Sequence, residues 1–199
     1  SLSDCRQAIE NAFELLWESF SGGGTCLVCG NGGSAADAEH IVAELMNRYQ
    51  LRRPIPQRDA DALCAVKHPV SDSIADRLQR ALPAISLVSQ TALTTAIGND
   101  IDADIVFAQQ VYGYGKKGDA LMALSTSGNS RNVIDAAIVA RSLKMGVIGF
   151  TGRDGGELKS LCDVCICVSE DETYLIQERH IAVYHTLCAM LEKRLVEQR

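Results

Sequence analysis

The sequence lacks long apolar runs and an excess of basic residues, and each absence excludes a class of function. Spanning a membrane takes about 20 consecutive apolar residues, and no stretch of the 199 residues has that length. No signal peptide opens the chain. The formal net charge of −6 argues against nucleic acid as a direct partner, because binding to the phosphate backbone needs a basic surface. We therefore expect a cytoplasmic protein without membrane contact.

The composition is that of one globular domain. Hydrophobic residues make up 47% of the chain and charged residues 22%, which is typical of folded proteins rather than of disordered ones. A chain of this length can bury a single sizeable core. We predict one domain over residues 1–199.

The eight cysteines require a choice between core thiols and a metal or redox site. Two Cys-x-x-Cys pairs occur, Cys26 with Cys29 and Cys162 with Cys165. Both lie in or beside apolar runs typical of strands, where a spacing of three places side chains on opposite faces. The spacing favours buried, reduced thiols over a shared metal or a redox pair.

Apolar runs alternate with amphipathic segments along the whole chain, which predicts a parallel sheet covered on both faces. We predict strands at 25–29, 84–88, 119–124, 146–150 and 164–168. We predict helices at 5–20, 34–49, 71–82, 89–97 with Ser89 as cap, 102–114, 130–143, 156–161 and 173–196, and a turn at 98–100. The fold class is therefore α/β, a three-layer αβα sandwich with a five-stranded parallel sheet. Ligands bind such sheets beyond the strand C-termini, where the winding direction reverses.

A glycine-rich turn follows the first predicted strand and leads into a helix. Residues 30–35 read Gly-Asn-Gly-Gly-Ser-Ala, and such a turn exposes backbone N–H groups at a helix N-terminus, where a phosphate is stabilised. The run also fits a relaxed dinucleotide-binding pattern. That pattern needs an acidic residue at the end of the second strand, where this chain has Ser89 and Gln90. A tight turn without a ligand is the remaining alternative.

A hydroxyl-rich turn follows the third predicted strand. Four hydroxyl side chains occur within six residues, namely Ser125, Thr126, Ser127 and Ser130. Helix capping alone needs one of them, so the cluster predicts a site for a phosphate monoester. The sequence has no Gly-Lys-Ser/Thr run, which disfavours a nucleoside triphosphate.

His40 and Glu44 lie on one helix face, four residues apart. They suit acid–base chemistry or metal ligation, although two solvated polar side chains would give the same pattern. In the last helix, Gln177 and His185 are about 80° apart around the axis. Imidazole, carboxylate and carbonyl donors together suit zinc. For His180, in an apolar stretch, a satisfied core histidine is the simpler interpretation.

Taken in order, these motifs resemble the sugar isomerase (SIS) domain family, and within it the phosphoheptose isomerase branch. The resemblance rests on Gly30–Ser34, His40-x3-Glu44, Gly98-Asn99-Asp100, Ser125–Ser130, Thr151–Gly156 and Gln177 with His180 and His185. It implies a flavodoxin-like fold and an aldose–ketose isomerase acting on a phosphorylated sugar. The implied reaction converts sedoheptulose 7-phosphate to D-glycero-D-manno-heptose 7-phosphate through an enediol.

The resemblance also assigns roles to residues. It implies phosphate contacts from Ser34, Ser125, Thr126, Ser127 and Ser130. Contacts to the sugar are implied for Asn31, Gly32, Gly33, Asn99, Asp100 and Gln177. Zinc ligation is implied for His40, Glu44, Gln177 and His185, with Glu44 and His185 as the acid–base pair. The family forms homotetramers with active sites at subunit interfaces, so we expect the same here.

Two features keep other interpretations open. The chain carries about 30 residues, 53–82, where the family passes quickly to the second strand, so we predict an insertion there. Some SIS proteins are non-catalytic and bind a protein partner, such as a replication-initiator-associating factor, or sense a sugar phosphate. These remain the alternatives to an isomerase.

Overall fold

A computed structural model describes residues 2–197, with a five-stranded, all-parallel sheet at its centre. The strands are β1 (Cys26–Gly30), β2 (Ala84–Ser86), β3 (Ala120–Leu124), β4 (Gly146–Thr151) and β5 (Val164–Cys167). The helices are α1 (Arg6–Ser21), α2 (Gly33–Met46), α3 (Gln57–Cys64), α4 (Ser71–Arg77), α5 (Thr91–Asp100), α6 (Val106–Tyr114), α7 (Arg131–Ser142) and α8 (Thr173–Glu197). Short 3₁₀ turns occupy Ser3–Cys5, Ala103–Ile105 and Glu157–Leu161. No helix in this part of the chain is long and apolar enough to cross a membrane.

The predicted αβα sandwich is confirmed, because alternate residues of each strand feed two separate cores. Along β1, Cys26 and Val28 pack on one side with α1, α2 and α8. Leu27 and Cys29 pack on the other side with α6 and α7. The central strands β1, β3 and β4 are buried on both faces, as is typical of the continuously apolar strands of parallel sheets.

The strand order is β2-β1-β3-β4-β5, so the winding reverses between β1 and β3. From β1 the chain crosses outward to β2, and then returns to the other side of β1 for β3. The carboxyl ends of β1 and β3 therefore diverge into a crevice, which is where ligands bind in open α/β sheets. The glycine-rich turn and the hydroxyl-rich turn follow these two strands.

Several predicted boundaries are wrong, mostly between β1 and β3. The turn predicted at 98–100 is the last turn of α5, in which Ile97 is buried and its carbonyl accepts from the Ile101 N–H. Ser89 does not cap α5, and its hydroxyl instead donates to Glu39 at 2.8 Å. The helix predicted at 71–82 stops at Arg77, since Leu78 is extended and Gln79 forms a bridge with Pro54. Helix α3 was not predicted, and α2 ends at Met46 rather than Tyr49.

All eight cysteines are free thiols, but the argument from strand spacing holds only for the first pair. Cys162 precedes β5, so strand alternation does not apply to it. Its sulfur and that of Cys165 both face Gly149, where an added Cβ would lie 2.6 and 3.2 Å away from them. Cys162, Cys165 and Cys167 are half-buried and Cys64 is exposed, so the prediction of core thiols is right for Cys5, Cys26, Cys29 and Cys188 only.

A buried ion pair joins α8 to the segment that follows α2. Arg53 and Glu192 are each about 1% exposed, and Arg53 Nε lies 3.2 Å from Glu192 Oε1, attracted by charge without the alignment of a hydrogen bond. The guanidinium also donates to the carbonyls of Glu44 and Leu45, at 2.9 and 3.1 Å. Arg53 thus caps the C-terminal end of α2 and fixes it to α8.

Glu192 orders the backbone that leaves α2. Its carboxylate accepts from the N–H groups of Tyr49, Gln50 and Leu51, at 2.7, 2.6 and 2.8 Å. These bonds replace the helical ones that end at Met46, and they place the Tyr49 ring beside α8. Both oxygens of the buried Glu192 carboxylate therefore accept hydrogen bonds, as burial demands.

Removing one partner of this pair should destabilise the protein strongly. Arg53→Met leaves a buried carboxylate without its counter-charge, and we expect the free energy of unfolding to fall by about 3–5 kcal/mol. Urea titration measures the loss. The matched control is Arg153→Met, whose partner Asp171 lies at 3.1 Å on the surface, where a pair contributes about 0–1 kcal/mol. Equal losses in the two variants would contradict the role given to Arg53.

Candidate active site

The two predicted anion-binding turns meet at the crevice between β1 and β3. The side chains of Asn31, after β1, and Asn132, at the start of α7, hydrogen-bond each other in both directions, at 2.8 and 3.0 Å. Two turns separated by about a hundred residues in sequence are therefore held as one unit. The N-termini of α2 and α7 both open onto it, and each supplies a partial positive charge.

The glycine turn is shaped by its glycines. Gly32 has a φ of 55° and ends the turn where α2 begins, a conformation that costs glycine little. A Cβ on Gly30 would lie 2.7 Å from the Ser34 carbonyl. The amide of Gln177 lies directly over Gly33, in the space that a side chain there would take. Ser34 itself is 3% exposed, so its predicted phosphate contact would come from a nearly buried hydroxyl.

The hydroxyl turn is held by its own hydrogen bonds. Ser125 Oγ donates to Ser130 Oγ at 3.0 Å, and Ser127 Oγ accepts from the Asn129 N–H at 3.1 Å. The Asn129 side chain accepts from the N–H of Glu157, and Gly128 packs against the backbone of Gly155. Ser127 is exposed and Thr126 half-buried. The turn therefore presents a preformed rim of hydroxyl groups.

Helices α2 and α8 run parallel, and their contact brings the predicted acid–base residues together. His40 Nε2 lies 3.2 Å from Glu44 Oε1. The rings of His40 and His185 meet edge to face with centroids 5.1 Å apart, and Tyr49 covers His185 at 5.5 Å. His40 is 45% exposed and Glu44 22% exposed in their side chains, so both reach solvent while His185 is half-buried.

Two residues that the sequence did not single out complete this cluster. The Tyr184 hydroxyl lies 3.0 Å from His40 Nδ1 and 3.2 Å from Asp37 Oδ1. Burial raises the pKa of both the Asp37 carboxyl and the Tyr184 hydroxyl above their usual values. Asp37 precedes His40 by one helical turn and Tyr184 adjoins His185, but only the pairing of two distant helices reveals that they meet.

The donor set suits zinc in its chemistry. His185 Nε2 is buried without a hydrogen-bond partner. A metal ion bound by this nitrogen would supply the missing partner. His40 and Glu44 supply a further imidazole and a carboxylate next to it. Over residues 2–197 no three His, Cys, Asp or Glu side chains already converge on one point. Gln177 lies over Gly33, at the start of α2. It is about 12 Å along α8 from His185, so zinc ligation by Gln177 stays a prediction.

The remaining predicted residues lie elsewhere. Asn99 and Asp100 are exposed at the end of α5, where the amide of Asn99 donates to Asp100 at 2.8 Å. His180 is fully buried against the Phe150 ring, with Nε2 3.2 Å from the Thr151 carbonyl. Burial lowers the pKa of His180 to about 4. The core position expected for His180 is confirmed, but only its Nε2 is satisfied, since its Nδ1 is buried without a hydrogen-bond partner.

Comparison with known proteins shows that the chain is similar to SIS-domain proteins, among them phosphoheptose isomerases. A sequence model of the SIS domain matches residues 2–60 and 71–152. A phosphoheptose isomerase of Rhodospirillum rubrum is 42% identical over 98% of this chain and 89% of its own length. The structure of phosphoheptose isomerase from Neisseria gonorrhoeae superposes with a TM-score of 0.76 at 35% identity, covering 96% of this chain and 87% of that one. The enzyme from Francisella tularensis gives 0.77 at 32% identity, covering 94% and 86%.

The buried imidazole of His180 makes stability depend on pH. In the unfolded chain it protonates near pH 6.5 and in the folded chain near pH 4. The unfolded state therefore binds the extra proton first as pH falls, and between those pH values the fold should lose roughly 3 kcal/mol. We expect His180→Gln, which keeps a donor for Thr151 without titrating, to flatten this part of the pH–stability curve. Exposed His68→Gln is the control, and a wild-type slope in both variants would contradict the assignment.

Proposed function

The chain belongs to the SIS domain family, and we propose that it is a phosphosugar isomerase interconverting sedoheptulose 7-phosphate and D-glycero-D-manno-heptose 7-phosphate. One observation carries the proposal: a single pair of parallel helices holds an anion-binding turn at one end and a His–Glu–His cluster further along. The relatives and solved structures described above, 32–42% identical over nearly the whole chain, are phosphoheptose isomerases. Both kinds of evidence point to the same chemistry.

The reaction moves a proton between two neighbouring carbons through an enediol. It needs a base at carbon, an acid at oxygen and stabilisation of the negative charge that develops on oxygen. We assign the base to the Glu44 carboxylate, which is partly exposed and can accept the carbon proton. His185, whose ring meets that of His40, transfers protons at the two oxygens. The hydroxyl-rich turn and the α2 N-terminus hold the phosphate and so limit where the reacting carbons can lie relative to the base.

Zinc would be held by His40, Glu44 and His185, with Gln177 as the predicted fourth ligand, and when bound it would polarise the substrate carbonyl as a Lewis acid. The orphaned His185 Nε2 supports this assignment.

Helix geometry leads us to expect that Glu44 of one subunit acts in the site of a neighbouring subunit. Ser34 and Glu44 are ten residues apart in α2, about 15 Å along the axis, which is long for one sugar phosphate to span. Tyr174 and Ile181 on α8 are 62% and 39% exposed, and seven-residue spacing places them on one stripe, which continues to His185. An interface along this stripe would bring a second chain to the cluster.

We propose on this basis a cytoplasmic homotetramer with shared sites. The apolar face of α1 is not available for the interface, because Ile9, Phe13 and Leu16 are buried in the chain's own core. We assign the contact to the exposed stripe on α8, because this stripe leads to His185.

Turnover of sedoheptulose 7-phosphate tests the proposed activity directly. We expect the wild type with zinc to form the aldose, and Glu44→Gln to lose about 10²–10⁴-fold in kcat, the usual contribution of a positioned base. The matched control is Glu39→Gln, on the same helix, where Glu39 contacts Ser89. An inactive wild type that binds the sugar phosphate would instead identify a sensor, and one that binds a protein partner an adaptor.

Mixing two inactive variants tests whether sites are shared. Ser127→Ala and Glu44→Gln, unfolded and refolded together, should regain part of the wild-type activity, because some interfaces then pair an intact phosphate turn with an intact base. Each variant refolded alone is the control. If the mixture stays as inactive as its components, or sedimentation at micromolar concentration finds a monomer, each site lies within one chain.

A further inference from the structure

Tyr184 occupies an unusual position, buried between a carboxylate and a histidine of the proposed active site. Tyr184 is 1% exposed and Asp37 is 8% exposed. The Tyr184 hydroxyl is within hydrogen-bond distance of both Asp37 Oδ1 and His40 Nδ1. Asp37 Oδ2 has no partner, so the Asp37 carboxylate depends on the Tyr184 hydroxyl for a hydrogen-bond donor. A buried carboxylate is costly without one.

The hydroxyl has one proton to donate, and the charges decide where it goes. An ionised carboxylate only accepts hydrogen bonds, and bonds to a charged acceptor are about twice as strong as neutral ones. The Tyr184 proton therefore points to Asp37. The hydroxyl oxygen then accepts from His40, which requires a proton on His40 Nδ1.

The other nitrogen of His40 faces Glu44. With the proton held at Nδ1, the lone pair of Nε2 points towards Glu44 Oε1, 3.2 Å away. Two acceptors at this distance repel each other unless a cation lies between them. Two ligands on one tetrahedral zinc ion, at about 2.0–2.1 Å each, are separated by about 3.3 Å, close to the distance observed.

We propose that Tyr184, anchored by Asp37, is a positioning residue that holds His40 in the Nδ1–H tautomer and keeps its Nε2 aimed at the point shared with Glu44. The inference deepens the proposed function, since it assigns the residues behind a proposed zinc ligand. Its tautomer component needs no zinc and no turnover. Neither Asp37 nor Tyr184 touches the crevice directly, and both act through His40.

Tyr184→Phe separates positioning from packing, because it removes the hydroxyl and keeps the ring that meets His40 and His185 at 5.4 and 4.9 Å. In the metal-free protein at pH 8, the ¹⁵N chemical shifts of His40 should report Nδ1–H in the wild type and a mixture with Nε2–H in the variant. Zinc affinity, measured by competition with a chromogenic chelator, should fall about 10–100-fold, as for other outer partners of metal-bound histidines.

Further variants exclude a purely structural effect. Asp37→Asn removes the charge that directs the Tyr184 proton but keeps an acceptor oxygen, so its zinc affinity should fall between those of the wild type and Tyr184→Phe. Asp37→Ala should lose as much as Tyr184→Phe. Tyr112→Phe, on an exposed residue of α6, should match the wild type. Unchanged His40 shifts in a folded Tyr184→Phe protein would overturn the proposal. If the wild type binds no zinc, the zinc assignment fails and the tautomer measurement alone decides the role of Tyr184.

Discussion

The arrangement of the site depends on the buried contact of Arg53 with Glu192. The guanidinium binds the last carbonyls of α2 and lies against a carboxylate of α8, so it fixes the end of one helix to the other. Gly33 meets Gln177 at the start of α2, and His40 meets Tyr184 in its middle, with the same separation of 144 residues in sequence. The two helices are therefore parallel and in register along the length of α2. A shift of one turn would separate His40 from Tyr184 and leave Asp37 buried without its donor.

Parallel packing of two helices explains how one fold supports two kinds of chemistry. The N-terminus of α2 lies at the carboxyl end of β1, where the winding reverses, and offers backbone N–H groups to an anion. The middle of α2, about 10 Å further along the axis, lies over the face of the sheet, where Ala38 and Ile41 are buried in the core. It offers side chains only. A substrate held by its phosphate at the first position must extend along the helix or across a subunit boundary to reach the second. Helix geometry thus sets the length scale of the site before any side chain is considered.

The elements that depend on local sequence patterns could be predicted from the sequence. All five strands and the two turns that follow β1 and β3 could be predicted, because apolar runs, glycines and hydroxyl clusters are local signals. The segment after Met46 could not, since its path is set by three backbone bonds to Glu192, more than 140 residues away. The continuation of α5 through Gly98 could not be predicted either, because it too depends on tertiary packing. A glycine in a helix interior costs about 1 kcal/mol relative to alanine, and burial of Ile97 offsets it.

The same limit applies within the site. His40, Glu44 and His185 could be proposed from the sequence because their residue types are typical of catalysis and their spacing fits helices. Asp37 and Tyr184 have equally polar groups, but a tyrosine in an apolar helix predicts a core position, and Tyr184 does occupy one. Its ring belongs to the core cluster of α1, α2 and α8, while its hydroxyl faces His40. One residue thus serves packing and positioning, and only the contact between helices distinguishes the second role.

Burial increases stepwise through the cluster, and this gradient has a chemical consequence. The His40 and Glu44 side chains reach solvent, His185 is half-buried, and Tyr184 and Asp37 are almost completely enclosed. Groups that must exchange protons with a substrate need access to the crevice, whereas groups that orient them are more effective when their own rotamers are fixed by packing. An enclosed Tyr184 cannot rotate away from Asp37 without leaving a buried carboxylate unsatisfied, so the orientation of His40 is supported by the stability of the core itself.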